Sequence, residues 1–91
     1  MGNLEEAVLK AVDEYNKYRS PEAKAKLIEI QEEELTIDFE GTFCWTCGVY
    51  DYFEDFMYEL QELVDLNIEV LSFKEYESGK FRVKYRFKRT Y

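Results

Sequence analysis

The apolar residues of this chain change their spacing three times, and that alternation constrains the fold more than any motif in it. Leu4, Val8, Ala11, Val12, Tyr15 and Tyr18 recur at threes and fours, the repeat that lines one face of a helix. Ile28 and Ile30, then Leu35, Ile37 and Phe39, alternate instead with polar residues, as in a strand with one buried face. Val49, Phe53, Phe56, Leu60, Leu63 and Val64 return to the helical repeat, and from Ile68 to Phe87 the period is two again. The order predicted is helix, hairpin, helix, hairpin.

Local signals set the expected boundaries. Asn3 is placed to cap the first helix, with Glu6 reaching back as in a capping box. Glu6 and Lys10, and Asp13 and Lys17, stand four apart on its wet side, a favourable spacing for opposite charges. The helix is expected to stop near Arg19, before Ser20-Pro21. A short turn of helix through about Ala25 should follow, and then a hairpin broken at Glu32-Glu33. Because Ala, Lys, Leu and Glu favour helices, PEAKAKLIEIQEEEL as one continuous helix is the competing expectation.

The second helix is expected to run from Val49 to Leu66, with Asp51, Glu54 and Asp55 in its first turns, where the dipole favours negative charge, and Asn67 as its left-handed stop. IEVLSFKEYE and KFRVKYRFK then form a hairpin around Ser78-Gly79, a two-residue turn in which glycine supplies a positive φ. Ile68 and Val70 differ in parity from Leu71 and Phe73, which predicts a bulge between them. The packing that buries both stripes is an α+β fold of order αββαββ: a four-stranded, mainly antiparallel sheet with both helices on one face. The other sheet face is left to solvent or to a partner. A chain of 91 residues has room for one such core, so residues 1–91 are expected to be a single domain.

Composition excludes much chemistry. There is no histidine, hence no usual general base, no Ser/His or Cys/His nucleophile pair and no imidazole metal ligand. Ser20, Ser72 and Ser78 lie in helix-start, strand or turn contexts, and no glycine-rich phosphate cradle is present. No catalytic activity and no cofactor are expected. No apolar run approaches the roughly 20 residues of a membrane span, and MGNLEEAVLK lacks the order of a signal peptide. Glu6 also stands where a myristoylation signal has Ser or Thr. A soluble cytoplasmic protein is the expectation.

The net charge is −8, unevenly spread: residues 1–79 carry −14 and residues 80–91 carry +6. The basic segment KFRVKYRFKR places Phe81, Val83, Tyr85 and Phe87 on one face and Arg82, Lys84, Arg86 and Lys88 on the other. Single-stranded nucleic-acid platforms mix aromatics with cations on one exposed face, and here the parities are opposite. The basic residues are expected to pair across the sheet with Asp38, Glu40, Glu69 or Glu75, and nucleic acid is not an expected partner. Tyr50, Tyr52 and Tyr58 give the second helix more aromatic area than one buried face needs. With Trp45 they form the candidate interaction surface for a protein partner or a homodimer.

Cys44-Trp45-Thr46-Cys47 is the one arrangement whose spacing carries chemistry. Two thiols a turn apart at a helix start can close a small disulfide ring, and the free amides there favour the thiolate. LTIDFEG, then FCWTCG, then a long helix resembles the active-site segment of the thioredoxin family, over about residues 35–64. The resemblance implies Cys44 as attacking thiol and Cys47 as resolving thiol. Pro21 lies before the motif, so the family's cis-proline has no counterpart, and no helix follows the last hairpin; a complete thioredoxin fold is not expected. Cys47-Gly48 also resembles the knuckle of zinc ribbons and rubredoxin-like sites, which implies a metal on Cys44 and Cys47, completed by a second subunit or by Asp51. Ordinary packing or a local disulfide ranks ahead of redox work, and metal binding comes last.

Overall fold

Six elements form in the expected order: α1 (Asn3–Arg19), β1 (Ala23–Ile30), β2 (Glu34–Gly41), α2 (Val49–Gln61), β3 (Leu66–Glu77) and β4 (Lys80–Arg89). The computed structural model describes residues 3–19, 23–41, 49–64 and 66–89. The strands make one four-stranded sheet in the order β1-β2-β4-β3, antiparallel at every pairing. α1 packs on β1 and on α2, and α2 packs on β3. Val8, Ala11 and Tyr15 from α1, and Phe53, Phe56 and Leu60 from α2, are buried with Leu35, Ile37, Phe39, Phe81, Val83, Tyr85 and Phe87 of the two central strands. Two amphipathic helices thus cover one face of a twisted sheet, the α+β arrangement that their stripes require.

β1 starts earlier than expected. Ala23 pairs with Gly41 and Ala25 with Phe39, so neither the helical turn through Ala25 nor the long helix forms. The reason is steric and polar together. Ala23 and Ala25 are buried, and their small side chains let the helical layer approach the strand. Asn16 on α1 then bonds Ala25 at both backbone atoms: its Nδ2 donates to the Ala25 carbonyl at 3.1 Å and its Oδ1 accepts from the Ala25 amide at 2.7 Å. A helix side chain so occupies hydrogen-bonding groups that an edge strand would otherwise leave open to another chain.

At its other end α2 is shorter than the stripe suggests. The Leu63 amide donates to the Leu60 carbonyl at 2.9 Å, the tightened bond of a closing turn, and Leu63 is 38% exposed. Asn67 is not a helix stop; it lies in β3 opposite Lys88. Pairing of Leu66 and Ile68 with Arg89 and Phe87 draws the chain into the sheet as soon as the turn is complete. Lys17, placed by its spacing near Asp13, instead reaches Glu14 at 3.4 Å.

The second hairpin follows the sequence closely. Gly79 has φ +76°, and a Cβ there would stand 3.0 Å from the Gly41 carbonyl oxygen, so both the turn and the neighbouring strand end need a glycine. β3 shifts register between Val70 and Ser72, as the parity change predicts, and again between Glu75 and Glu77. Bulges at these two places twist an edge strand away from pairing with another chain.

Candidate functional site

Cys44, Trp45 and Cys47 of the cysteine motif lie outside the described residues. β2 ends at Gly41 and α2 begins at Val49, so the motif belongs to the link between a strand end and a helix start. Among the described residues no group of three or more Cys, Asp or Glu side chains is arranged to hold a metal ion. No described helix is long and apolar enough to cross a membrane. The tyrosines of α2 are what the structure places.

α2 is fixed in rotation by two phenols that donate to consecutive carbonyls on its inner side. Tyr15 of α1 bonds the Tyr52 carbonyl at 3.0 Å, and Tyr85 of β4 bonds the Phe53 carbonyl at 2.8 Å. Burial holds the Tyr85 phenol well above its ordinary pKa, with Tyr15 and Tyr50 adding to the shift; desolvation disfavours the phenolate. Around these bonds the rings pack edge-on or tilted, with Phe39 at 5.1 Å from Phe53 and 5.5 Å from Tyr15. Such contacts add to what area burial alone supplies.

With α2 held this way, its three extra tyrosines divide. Tyr50 is 41% exposed and packs tilted against Phe73 of β3, ring centres 5.9 Å apart; Phe73 is itself 47% exposed and lies 5.2 Å from the Phe53 ring. This pair continues the buried aromatic cluster outward to the β3 edge. Tyr52 is half-buried, with the Arg19 guanidinium over its ring at 5.5 Å. Tyr58 is 54% exposed.

Tyr58 lines an open groove of about 350 Å³ with Tyr15, Tyr18, Arg19, Asp55 and Glu59. Tyr18, which the helical repeat assigns to the core stripe, is 74% exposed: it sits in the last turn of α1, at the groove. Arg19 forms an ion pair with Asp55. Glu59 has a raised pKa, chiefly from desolvation and then from the negative charge of Glu62 and Glu14. Carboxylates that raise one another favour a bound cation or proton.

The uncovered sheet face is built differently. Across the strands Lys24 faces Glu40, which faces Lys80; Lys26 faces Asp38, which faces Arg82; Glu34 faces Arg86, which faces Glu69. Arg82 grips Asp38 through Nε at 2.8 Å and Nη2 at 2.9 Å, and Tyr76 adds a hydroxyl bond at 3.1 Å. These bonds, led by that of Arg82, hold the Asp38 carboxyl below its ordinary value. Glu75 departs from the expected pairing, standing opposite Phe81 and accepting the Gly79 amide at 3.0 Å.

Sequence reasoning missed Tyr18 and Phe73 as surface groups, Asn16 as the bond to β1, and Glu59, with Asp55, as part of a groove. The signal for the acids was present: residues 49–64 contain five acids and no base. Comparison with protein families, with curated proteins and with solved structures finds no match for this chain.

Proposed function

We propose that the protein is a non-enzymatic interaction module of the cytoplasm that engages a protein partner through its helical layer. The observation that carries this reading is what the exposed aromatics of the two faces touch: Tyr76 on the sheet face is 45% exposed but is engaged by Asp38 and Arg82. Tyr18, Tyr50, Tyr58 and Phe73 stand out on the helical side and at the β3 edge, where tyrosine and phenylalanine suit interfaces. The other sheet face sets most of its acids opposite bases, with Asp38 and Arg82 in a direct ion pair, and its basic strand turns its aromatics inward, which supports a protein rather than a nucleic acid as the partner.

The test is site-specific photo-crosslinking in cells that produce the protein, with the reactive group at Tyr58 or at Lys84 on the uncovered sheet face. A discrete adduct is expected from position 58 and none from position 84. Adducts from both positions alike, or from 84 alone, contradict the assignment.

A thiol-disulfide role for Cys44 and Cys47 rests on their CxxC spacing in the sequence, both residues lying outside the described ones. Cys44→Ser should abolish reduction of a small disulfide substrate if the pair does redox work, and a wild-type rate in that variant removes the role. A metal held by the same pair with a second subunit's thiols predicts stoichiometric zinc or iron in protein purified without chelator.

A further inference from the structure

We infer that the groove between the last turn of α1 and the middle of α2 receives an arginine-bearing basic segment of the partner, its guanidinium held between the Tyr18 and Tyr58 rings and the Glu59 carboxylate. This rests on the interaction reading above and names the partner's chemistry.

The groove already holds one guanidinium from the chain itself. Arg19 pairs with Asp55 and lies over the Tyr52 ring, which is the carboxylate-plus-ring arrangement that binds this group. Beside it are a second carboxylate, Glu59, and two exposed rings, Tyr18 and Tyr58. Glu59 makes no ion pair among the described residues; its charged neighbours are the like charges of Glu62 and Glu14. Charge complementarity also extends beyond the groove, since residues 49–64 carry Asp51, Glu54, Asp55, Glu59 and Glu62 and no basic residue. A second copy of this chain is the poorer occupant, because its Arg82 and Arg86 already face acids across their own sheet.

The test titrates a labelled Gly-Ser peptide bearing three arginines into the full chain at about 150 mM salt, where unlocalised attraction is largely screened. The control peptide replaces the arginines with citrulline, a neutral isostere. The arginine peptide should bind and the citrulline peptide should not. Replacing Tyr18 and Tyr58 with serine leaves the net charge unchanged and should weaken binding about tenfold, the loss of two cation-ring contacts. Glu59→Gln should weaken it about fivefold, whereas Glu5→Gln, the same charge change in the first turn of α1, should do so less than about twofold. Both tyrosines are exposed, and circular dichroism would verify that the variant keeps its fold.

Wild-type affinity in the tyrosine variant overturns the inference, as does equal weakening by Glu5→Gln and Glu59→Gln. Self-association of the protein alone that the arginine peptide competes away would assign the groove to a second copy and also overturn it. If the peptide fails to bind while the Tyr58 adduct still forms, the cationic class falls and the interaction module stands; loss of the adduct removes the module itself.

Discussion

The two broad faces of the molecule handle charge in opposite ways. On the uncovered sheet face nearly every acid has a base opposite it: Asp38 stands between Lys26 and Arg82, and Glu40 between Lys24 and Lys80. On the helical layer the acids of α2 have one ion pair among the described residues, Asp55 with Arg19, and Glu59 faces Glu62 and Glu14. The first face lowers a carboxyl pKa and the second raises one. A surface whose acids and bases stand opposite one another, with Asp38 and Arg82 in direct contact, offers a partner little net charge. A surface that keeps unneutralised acids beside exposed rings gains from a cation.

The largest expected effect tests whether the exposed rings are an outgrowth of the core. Phe53 is buried and touches Phe39, Phe73 and Phe81. Phe53→Ala should cost about 3–5 kcal/mol, read by urea denaturation, and should loosen Tyr50 and Phe73 with it. A loss under about 1 kcal/mol would mean that the rings at the β3 edge stand independently of the core.

Asn16→Ala comes next, at the edge where the helical layer meets β1. It removes both bonds to Ala25 and should lower stability by about 1–2 kcal/mol. Amide exchange at Ala25 should rise well above that of residues in β4. Unchanged protection at Ala25 would show that helix packing alone holds this edge.

Asp38→Asn probes the paired face. A carboxyl whose folded pKa lies below its unfolded value stabilises the fold above the unfolded value, near 3.8, and loses that contribution as pH falls through the folded one. The variant should therefore be less stable than wild type at pH 7, and the gap should close as pH falls below the folded value. An unchanged gap across that range would remove the Asp38 carboxylate as a stabilising charge.

Glu59→Gln should be the smallest effect and of opposite sign. With its folded pKa raised, Glu59 costs no stability below its unfolded value, begins to cost as pH rises past that value and costs its full amount above the folded one. At neutral pH the variant should gain a little stability, chiefly from no longer desolvating a charge and then from relief of the like charges of Glu62 and Glu14, the latter about 0.3 kcal/mol. Destabilisation would show that Glu59 has a partner in the fold.

Much of this contrast was legible in the amino-acid order. The parity of KFRVKYRFKR assigned β4's rings to the core and its cations to the other face, and the switch at Leu71 announced a bulge. What failed shares a physical cause: periodicity records which side of an element a residue lies on, not whether anything covers that side. Tyr18 continues the α1 stripe yet lies in a last turn that leaves its ring exposed, and Phe73 is core-facing in register yet sits on an edge strand. β1 was obscured in the opposite way. Ala and Lys favour helices, but Ala23 and Ala25 are small enough to be buried beneath the helical layer, and Asn16 bonds the strand edge from α1. Tertiary packing, invisible in a local window, reversed the local preference. The roles read into Cys44, Trp45 and Cys47 fall outside the described residues.

The opposition between the two faces can be measured in one sample by following the side-chain carboxyl carbons of Asp38 and Glu59 by NMR as pH is varied at low salt. Asp38 should titrate below its ordinary value and Glu59 above its own, and about 1 M salt should remove only the part of the Glu59 shift due to Glu62 and Glu14, leaving the larger part due to desolvation. Glu59 titrating at or below its ordinary value, with Asp38 at or above its own, would contradict that opposition.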